Sequence, residues 1–459
     1  MKRILFAALV LGLVAAVGGV AYQAAALERE YRSLIARGDA AQRVDQTFVA
    51  IEAFSGAIAL KPDSMLAHLR RGEIYQRRGD LDAAARDLRT ASRLDPTATR
   101  PLEQLGDVFY ARQRYDRAAQ SYEAYLRLDD RRARVHYKLA LTRYREGNAA
   151  GAIGPLTQAV RLDNQLADAH YLLGVCLRER KRLGEAVTAL EYGVTVAPGL
   201  VAAREELADL YTLLGRKADA IEQLQLLAGL DRGQPERQVA LGLAHARAGH
   251  TDLAILTLGS AAERFPQQPA IYAALGRVWL DTAETRNDKV ALGKALEAFQ
   301  GVATRPSASS ETLTLYGRAL MLAGDFDAAE RTLRQASERY PIDPAALLHF
   351  ATAAQRLGDL AGARTALIRY GELAPDDADL AGRATRIAGL SMRLSDPATA
   401  VLWLQRAIER GPSDVRLLGQ LAEAQLKAGD AAGARVTLAR ALERDPRNPA
   451  LLALNRRAR

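Results

Sequence analysis

The chain holds a single cysteine, Cys176, in 459 residues, so no intramolecular disulfide can form and cysteine usage leaves the redox compartment open. Histidine is scarce as well, with six in all, and His245, His250 and His349 find no partner at zinc-like spacing with Cys176. No glycine loop of the kind that cradles phosphate is present. No serine or cysteine nucleophile stands beside an obvious base. These absences argue against catalytic, metal-binding and cofactor-binding chemistry, and no small-molecule substrate is evident. Basic residues outnumber acidic ones, 63 to 54, for a net charge of +9, which raises nucleic acid as a partner. The distribution points the other way. Arginines are interspersed with acids, as in Arg204-Glu205-Glu206 and Arg93-Leu94-Asp95, the pattern of solvated helix faces.

What the chain does have is a period. Gly38, Gly72, Gly106, Ala140, Gly174, Ala208, Gly242 and Gly276 follow one another at intervals of 34 residues. A second small series runs Ala50, Ala84, Ala118, Ala152, Ala186, Ala220, Ala254, and a bulky one runs Phe54, Leu88, Tyr122, Leu156, Leu190, Leu224, Leu258. Small residues let helices approach and large ones fill the space between them. A long unbroken period of this length defines a solenoid whose units stack on their neighbours.

Each unit reads as two helices. In residues 65–98, Leu69, Gly72, Glu73 and Tyr75 belong to the first, and Leu81, Ala84, Ala85, Leu88 and Ala91 form the apolar stripe of the second, at helical spacing. Gly79 suits the left-handed position that ends a helix, and Asp80 is placed to cap the next. Gly147-Asn148, Gly324-Asp325, Gly358-Asp359 and Gly429-Asp430 repeat that punctuation. Proline closes most units, at Pro62, Pro96, Pro198, Pro266, Pro341, Pro375, Pro412 and Pro446. Two length changes interrupt the register: seven extra residues near 282–290, and a slip of three near 390–397. Inserts of this kind are expected in loops. Residues 31–448 divide into about twelve units, and residues 449–459 supply a last short helix with a polar finish.

Residues 4–27 are apolar except for Tyr22 and Gln23, follow Lys2 and Arg3, and carry no ionised group. Residues 1–27 therefore read as a transmembrane anchor, long enough to span a bilayer, or as a signal peptide with Ala24-Ala25-Ala26 as its cleavage pattern. The Met-Lys-Arg start favours an exported bacterial protein, with the repeats in the periplasm beside the inner membrane. Arg29, Arg32, Arg37 and Arg43 after the segment favour the alternative, a cytoplasmic array.

The unit length, with His170-Tyr171-Leu172-Leu173-Gly174, Gly184-Glu185-Ala186-Val187 and Pro198 at signature places, resembles the tetratricopeptide repeat (TPR) family. Asp130, Asn164 and Arg232 depart from it where the family has proline. The resemblance implies an all-α, right-handed superhelical solenoid of helix-turn-helix units. It also implies a concave binding face lined by positions 2, 5, 9, 12 and 13 of each first helix. In the units beginning at Ala133 and Ala167 those positions include Arg134, Tyr137, Tyr144, Arg145, Tyr171 and Arg178, with Tyr110 from the unit before. Aromatic residues with a polar tip beside arginines make good contact surfaces. His68, His136 and His170 all fall at position 4, where the family places a packing residue, and so read as interface histidines. Position 9 offers no asparagine ladder, which disfavours carboxylate-clamp binding. The function implied is a membrane-tethered protein-protein interaction scaffold of the bacterial cell envelope, taking peptide or protein partners in its groove. The alternatives are a cytosol-facing adaptor, or an accessory subunit of a polysaccharide or export enzyme complex.

Overall fold

The computed structural model describes residues 2–410 and 414–459, with the backbone alone for residues 2–17, Leu380 and Arg410. Among the described residues the chain is all-α, with twenty-five helices and no strand. Packing groups them into two compact units, Met1–Gln223 and Leu224–Arg459. The first unit contains α1 (Lys2–Arg43), α2 (Thr47–Leu60), α3 (Met65–Arg78), α4 (Leu81–Leu94), α5 (Thr99–Ala111), α6 (Tyr115–Leu128), α7 (Ala133–Arg145), α8 (Ala149–Leu162), α9 (Ala167–Glu179), α10 (Leu183–Val196) and α11 (Val201–Leu213). The boundary falls inside α12 (Lys217–Leu230). The second contains α13 (Pro235–Arg247), α14 (Thr251–Arg264), α15 (Pro269–Arg286), α16 (Lys289–Ala303), α17 (Ser310–Ala323), α18 (Phe326–Glu338), α19 (Pro344–Leu357), α20 (Leu360–Leu373), α21 (Leu380–Arg393), α22 (Pro397–Arg410), α23 (Val415–Lys427), α24 (Ala431–Arg444) and α25 (Pro449–Arg457). Within each unit, helices pack on their neighbours in the chain, and first helices also touch the first helix of the next hairpin, as α7 does α9 and α17 does α19. This is solenoid packing of helix-turn-helix units.

The glycine series and the bulky series turn out to be partners within one hairpin. A Cβ built on Gly106 would lie 2.4 Å from the Tyr122 ring, one on Gly174 2.4 Å from Leu190, and one on Gly242 2.5 Å from Leu258. Only glycine lets the first helix approach the large residue of the second so closely. The alanine series packs beside it: Ala50, Ala84, Ala118, Ala152, Ala186 and Ala254 are completely buried.

Turns follow the expected chemistry with one exception. Gly79 ends α3 at φ +86°, a conformation that favours glycine. Asn148, Asp325, Asp359 and Asp430 each accept a backbone N–H of the helix they precede, at 2.8, 3.0, 2.8 and 2.8 Å. Asp80 does not cap α4, because the Arg78 guanidinium takes its carboxylate. Of the prolines, Pro62, Pro96, Pro198, Pro266, Pro375 and Pro446 stand two residues beyond a second helix, while Pro412 lies outside the described residues.

Both length changes differ from expectation. The seven-residue insert forms no loop. It lengthens both helices of one hairpin, so that α15 runs for 18 residues where α13 has 13, and Thr282, Ala283 and Ala291 are buried in the extension. The segment offers no glycine or proline before Gly293 to break it. The three-residue slip lies in residues 374–379, ahead of α21, and not at 390–397, where the turn between α21 and α22 has the ordinary three residues. In the inserted loop Asp377 pairs with Arg383, whose guanidinium sits 4.5 Å from the centre of the Tyr370 ring.

At the amino terminus α1 is continuous from Lys2 to Arg43. The expected anchor or signal rests mostly on residues 1–17, whose side chains lie outside the described residues. Among the described residues no helix is long and apolar enough to cross a membrane. At the other end α25 starts with Pro449 in its first turn, is capped by Asn448, and buries Leu451 while leaving Arg456 and Arg457 exposed.

Candidate binding surface

The seven residues singled out in the sequence all lie on α5, α7 and α9 in the first unit. Arg134 and Arg145 are exposed, and Tyr110, Tyr137, Tyr144, Tyr171 and Arg178 are half-buried. Each tyrosine rests partly in the core between hairpins. Tyr137 and Tyr144 pack against the cluster of Ala140, Leu156, Leu172 and Cys176, Tyr171 against that of Leu190 and Leu207, and Tyr110 against that of Phe109 and Leu139. This suits an amphipathic side chain that buries its body and keeps a polar tip at the surface.

Most of these residues have a polar partner of their own. Arg145 donates to the Tyr110 hydroxyl, which raises the guanidinium pKa, and the Tyr110 ring meets Tyr115 edge-on at 5.5 Å. Burial, and then the Asp168 carboxylate, raise the Tyr137 phenol. Burial and a hydrogen bond to Glu179 raise that of Tyr144. Arg178 is engaged by Glu206 on α11, so it bridges two repeats rather than standing ready for a partner. Cys176, beneath the same surface, is completely buried. Burial pushes its thiol pKa up to about 12, which makes it a packing residue and not a nucleophile.

Two sets of polar contacts were not singled out from the sequence. First helices are joined by charged rungs: Arg70 to Asp39 at 3.4 Å, Arg100 to Glu73 at 2.7 Å, and Lys138 to Glu103 and Asp107 at 2.7 and 2.8 Å. For Lys138 burial works against the charge, yet the bonds to Asp107 and Glu103 leave its pKa raised. A signal existed: a base at position 6 with an acid at position 9 of the preceding unit, as in Asp39–Arg70 and Asp107–Lys138.

The second set ties down the links between repeats. At position 4, His68, His136 and His170 bond through Nε2 to the carbonyls of Pro62, Asp130 and Asn164, at 3.1, 2.8 and 3.2 Å. Arg204, at the same position, donates to the Pro198 carbonyl at 2.8 Å and to Gln223 at 2.8 Å. Each residue reaches back six positions to a carbonyl that follows a second helix and would otherwise need water. These histidines are loop ties. Among the described residues no group of three or more His, Cys, Asp or Glu could hold a metal ion.

The second unit contributes a different surface. A cleft of about 430 Å³ opens over α13, α15 and α17. Val239, Leu243, Ala273 and Leu315 give it apolar walls, and Arg277 stands at its edge with Glu311 as its ion-pair partner. Val239, Ala273, Leu243 and Arg277 occupy positions 5 and 9 of their first helices, the places the family uses for contact. Sequence reading did not place Val239, Leu243 and Ala273 in the candidate site because valine, leucine and alanine at helical spacing look like core. Nearby, Glu284 on the lengthened part of α15 meets Arg318 of α17 through both carboxylate oxygens at 2.8 Å.

Family models described as tetratricopeptide repeat match residues 35–99, 103–167 and 156–199, and residues 320–386 and 392–458. The chain belongs to the tetratricopeptide repeat family. Among solved structures it is similar to YrrB, described as a TPR protein with an unusual peptide-binding site, at 22% identity over 40% of this chain and 95% of that one, with a TM-score of 0.37. A tetratricopeptide repeat protein from Parabacteroides merdae ATCC 43184 is 17% identical over 55% of this chain and 99% of its own, with a TM-score of 0.39. The pilF protein of Pseudomonas aeruginosa is 20% identical over 45% and 94%, with a TM-score of 0.36. A search of curated proteins gave no match.

Proposed function

We propose that the protein is a membrane-tethered scaffold of the bacterial cell envelope that binds protein or peptide partners along its first helices. The observation that carries the binding part is the row of half-buried tyrosines, Tyr110, Tyr137, Tyr144 and Tyr171, set beside the exposed guanidinium groups of Arg134 and Arg145. Tyrosine offers large contact area at little cost in side-chain entropy, and arginine adds directional hydrogen bonds, the composition of binding hot spots. The apolar cleft of the second unit adds a place for an apolar side chain. Tethering is supported by the apolar residues 4–27 and by their continuation, as one helix, into the first repeat. Val20 and Tyr22 on that helix are 67% and 70% exposed. A cytosol-facing adaptor is the second reading, favoured by Arg29, Arg32, Arg37 and Arg43.

The test is crosslinked partner capture from solubilised membranes with wild type and with a Tyr144→Ala, Arg145→Glu double variant of unchanged helix content. A partner lost only with the variant supports binding on α7. Identical partners for both move the site away from that surface. Fusions to reporters active on one side of the membrane decide topology, and a signal from the cytosolic reporter alone removes the periplasmic assignment.

A further inference from the structure

Position 6 of a first helix is basic at Arg70, Lys138 and Arg386, and each residue reaches position 9 of the preceding first helix. Arg70 meets Asp39 and Lys138 meets Asp107, both carboxylates. Arg386, on α21, meets the Thr352 hydroxyl of α19 at 3.2 Å. Its other bonds run to the neutral Gln355 side chain, whose Oε1 accepts from Nε at 3.1 Å and from the same terminal nitrogen at 2.9 Å. The rung is therefore built as in the first unit, with its acid missing. Among the described residues no carboxylate pairs with Arg386, and none of the residues outside the described set is acidic.

The surroundings sharpen the imbalance. Helices α19 and α21 contain Arg356, Arg383, Arg386 and Arg393 and no acidic residue. Of these four, Arg383 is neutralised by Asp377. Burial, and then the like charge of Arg383, push the Arg386 pKa below the arginine norm. A half-buried cation that faces only neutral acceptors has given up hydration without gaining a Coulombic partner. Space for such a partner exists. Gly389, one turn further along α21, occupies position 9, where other units carry Glu73, Asp107, Arg277 and Arg318, and a Cβ there would meet nothing within 4 Å.

We propose that Arg386 is the seat for an acidic side chain, aspartate or glutamate, of a protein partner laid across α19 and α21, its carboxylate entering above Gly389. The inference rests on the reading that first-helix faces bind protein partners. The arginines at position 13, Arg356 and Arg393, are exposed and extend the positive field toward such a segment. Gln355 and Thr352 hold the guanidinium in place without neutralising it, which leaves its charge for the ligand.

The experiment pans a random twelve-residue peptide library against the full-length protein and measures the selected peptides on wild type, Arg386→Gln and Arg386→Lys. Expected are binders enriched in aspartate and glutamate, weakened roughly tenfold or more by Arg386→Gln and less by Arg386→Lys. The melting temperature of Arg386→Gln should be unchanged or raised, since no internal ion pair is lost. Binders without acidic enrichment, or with equal affinity for wild type and Arg386→Gln, overturn the inference and leave the scaffold reading standing. No binders at all count against both. Displacement by inorganic phosphate as effective as that by an acidic peptide makes the site a free-anion site and overturns the assignment to a protein partner. A drop of several degrees in the melting temperature of Arg386→Gln assigns the residue to structure alone.

Discussion

Substituting Gly106 by alanine sets two effects of known sign against each other. In a helix interior alanine is favoured over glycine by about 1 kcal/mol. At Gly106, however, the new methyl would lie 2.4, 2.7 and 2.8 Å from three atoms of the Tyr122 ring. That ring is 2% exposed, and its hydroxyl donates to Asp107 Oδ1 at 2.6 Å, so it is pinned at its far end and cannot swing aside without breaking a bond. Overpacking of a filled core costs about 1–3 kcal/mol, and a pinned aromatic places this site in the upper part of that range. The net expectation is a loss of about 1–2 kcal/mol, the difference of the two terms. Gly293, in the helix of a different hairpin, has nothing within 4 Å of its Cβ, and Gly293→Ala should gain about 0.5–1 kcal/mol. Urea titration followed by circular dichroism gives the ordering, read as the shift of the transition midpoint because repeat arrays need not unfold in two states. Gly106→Ala as stable as wild type, or equal to Gly293→Ala, would falsify the claim that the glycine series exists for close approach.

Three further outcomes are expected. Replacing Arg204 by methionine removes donors to the Pro198 carbonyl and Gln223 and should cost about 1.5–3 kcal/mol; a change below about 0.5 kcal/mol in the same titration would show that water replaces the tie. Burial, and then the charge of His250, lower the pKa of His245, so the unfolded chain takes up its proton more readily than the folded one. Stability is then fully present above the unfolded value near 6.5 and falls as pH drops through the lower folded value. His245→Gln should flatten part of that fall in thermal melts between pH about 7 and 5, and an unaltered slope refutes the assignment. Glu284→Ala breaks the contact to Arg318 but, both side chains being about one-third exposed, should cost only about 0.2–1 kcal/mol; unfolding of the hairpin would show that the ion pair holds the extension.

What the sequence revealed is what repeats. Gly106 and Tyr122 recur at a fixed offset in unit after unit, so their pairing in one hairpin could be read without coordinates. The tyrosines of α5, α7 and α9 were singled out as candidates because aromatic residues at contact positions stand out. The Val239, Leu243 and Ala273 walls of the cleft were not, since apolar residues at helical spacing look alike whether they face a core or an open surface. Lys138 and its two carboxylates lie 35 and 31 residues apart, and such rungs emerge only once position 6 is compared with position 9 of the unit before. The slip ahead of α21 was misplaced because the first marks read in the shifted register were Ala400, Leu404 and Ala407 on α22, and the loop before α21 carries none of the periodic marks. Asp80 shows the limit of local rules: its side chain has a cap to make and an arginine two residues away, and the ion pair wins.

The lengthened α15–α16 hairpin bears on how a partner would find its place. In a strictly periodic array an extended ligand that fits one stretch also fits the next, displaced by a single unit, and binding would be spread over several equivalent alignments. A hairpin longer than its neighbours, with its own crossing pair between Glu284 and Arg318, removes that translational degeneracy. It acts as an index mark against which one alignment differs from all the others, so a ligand long enough to reach it can be read in one frame only.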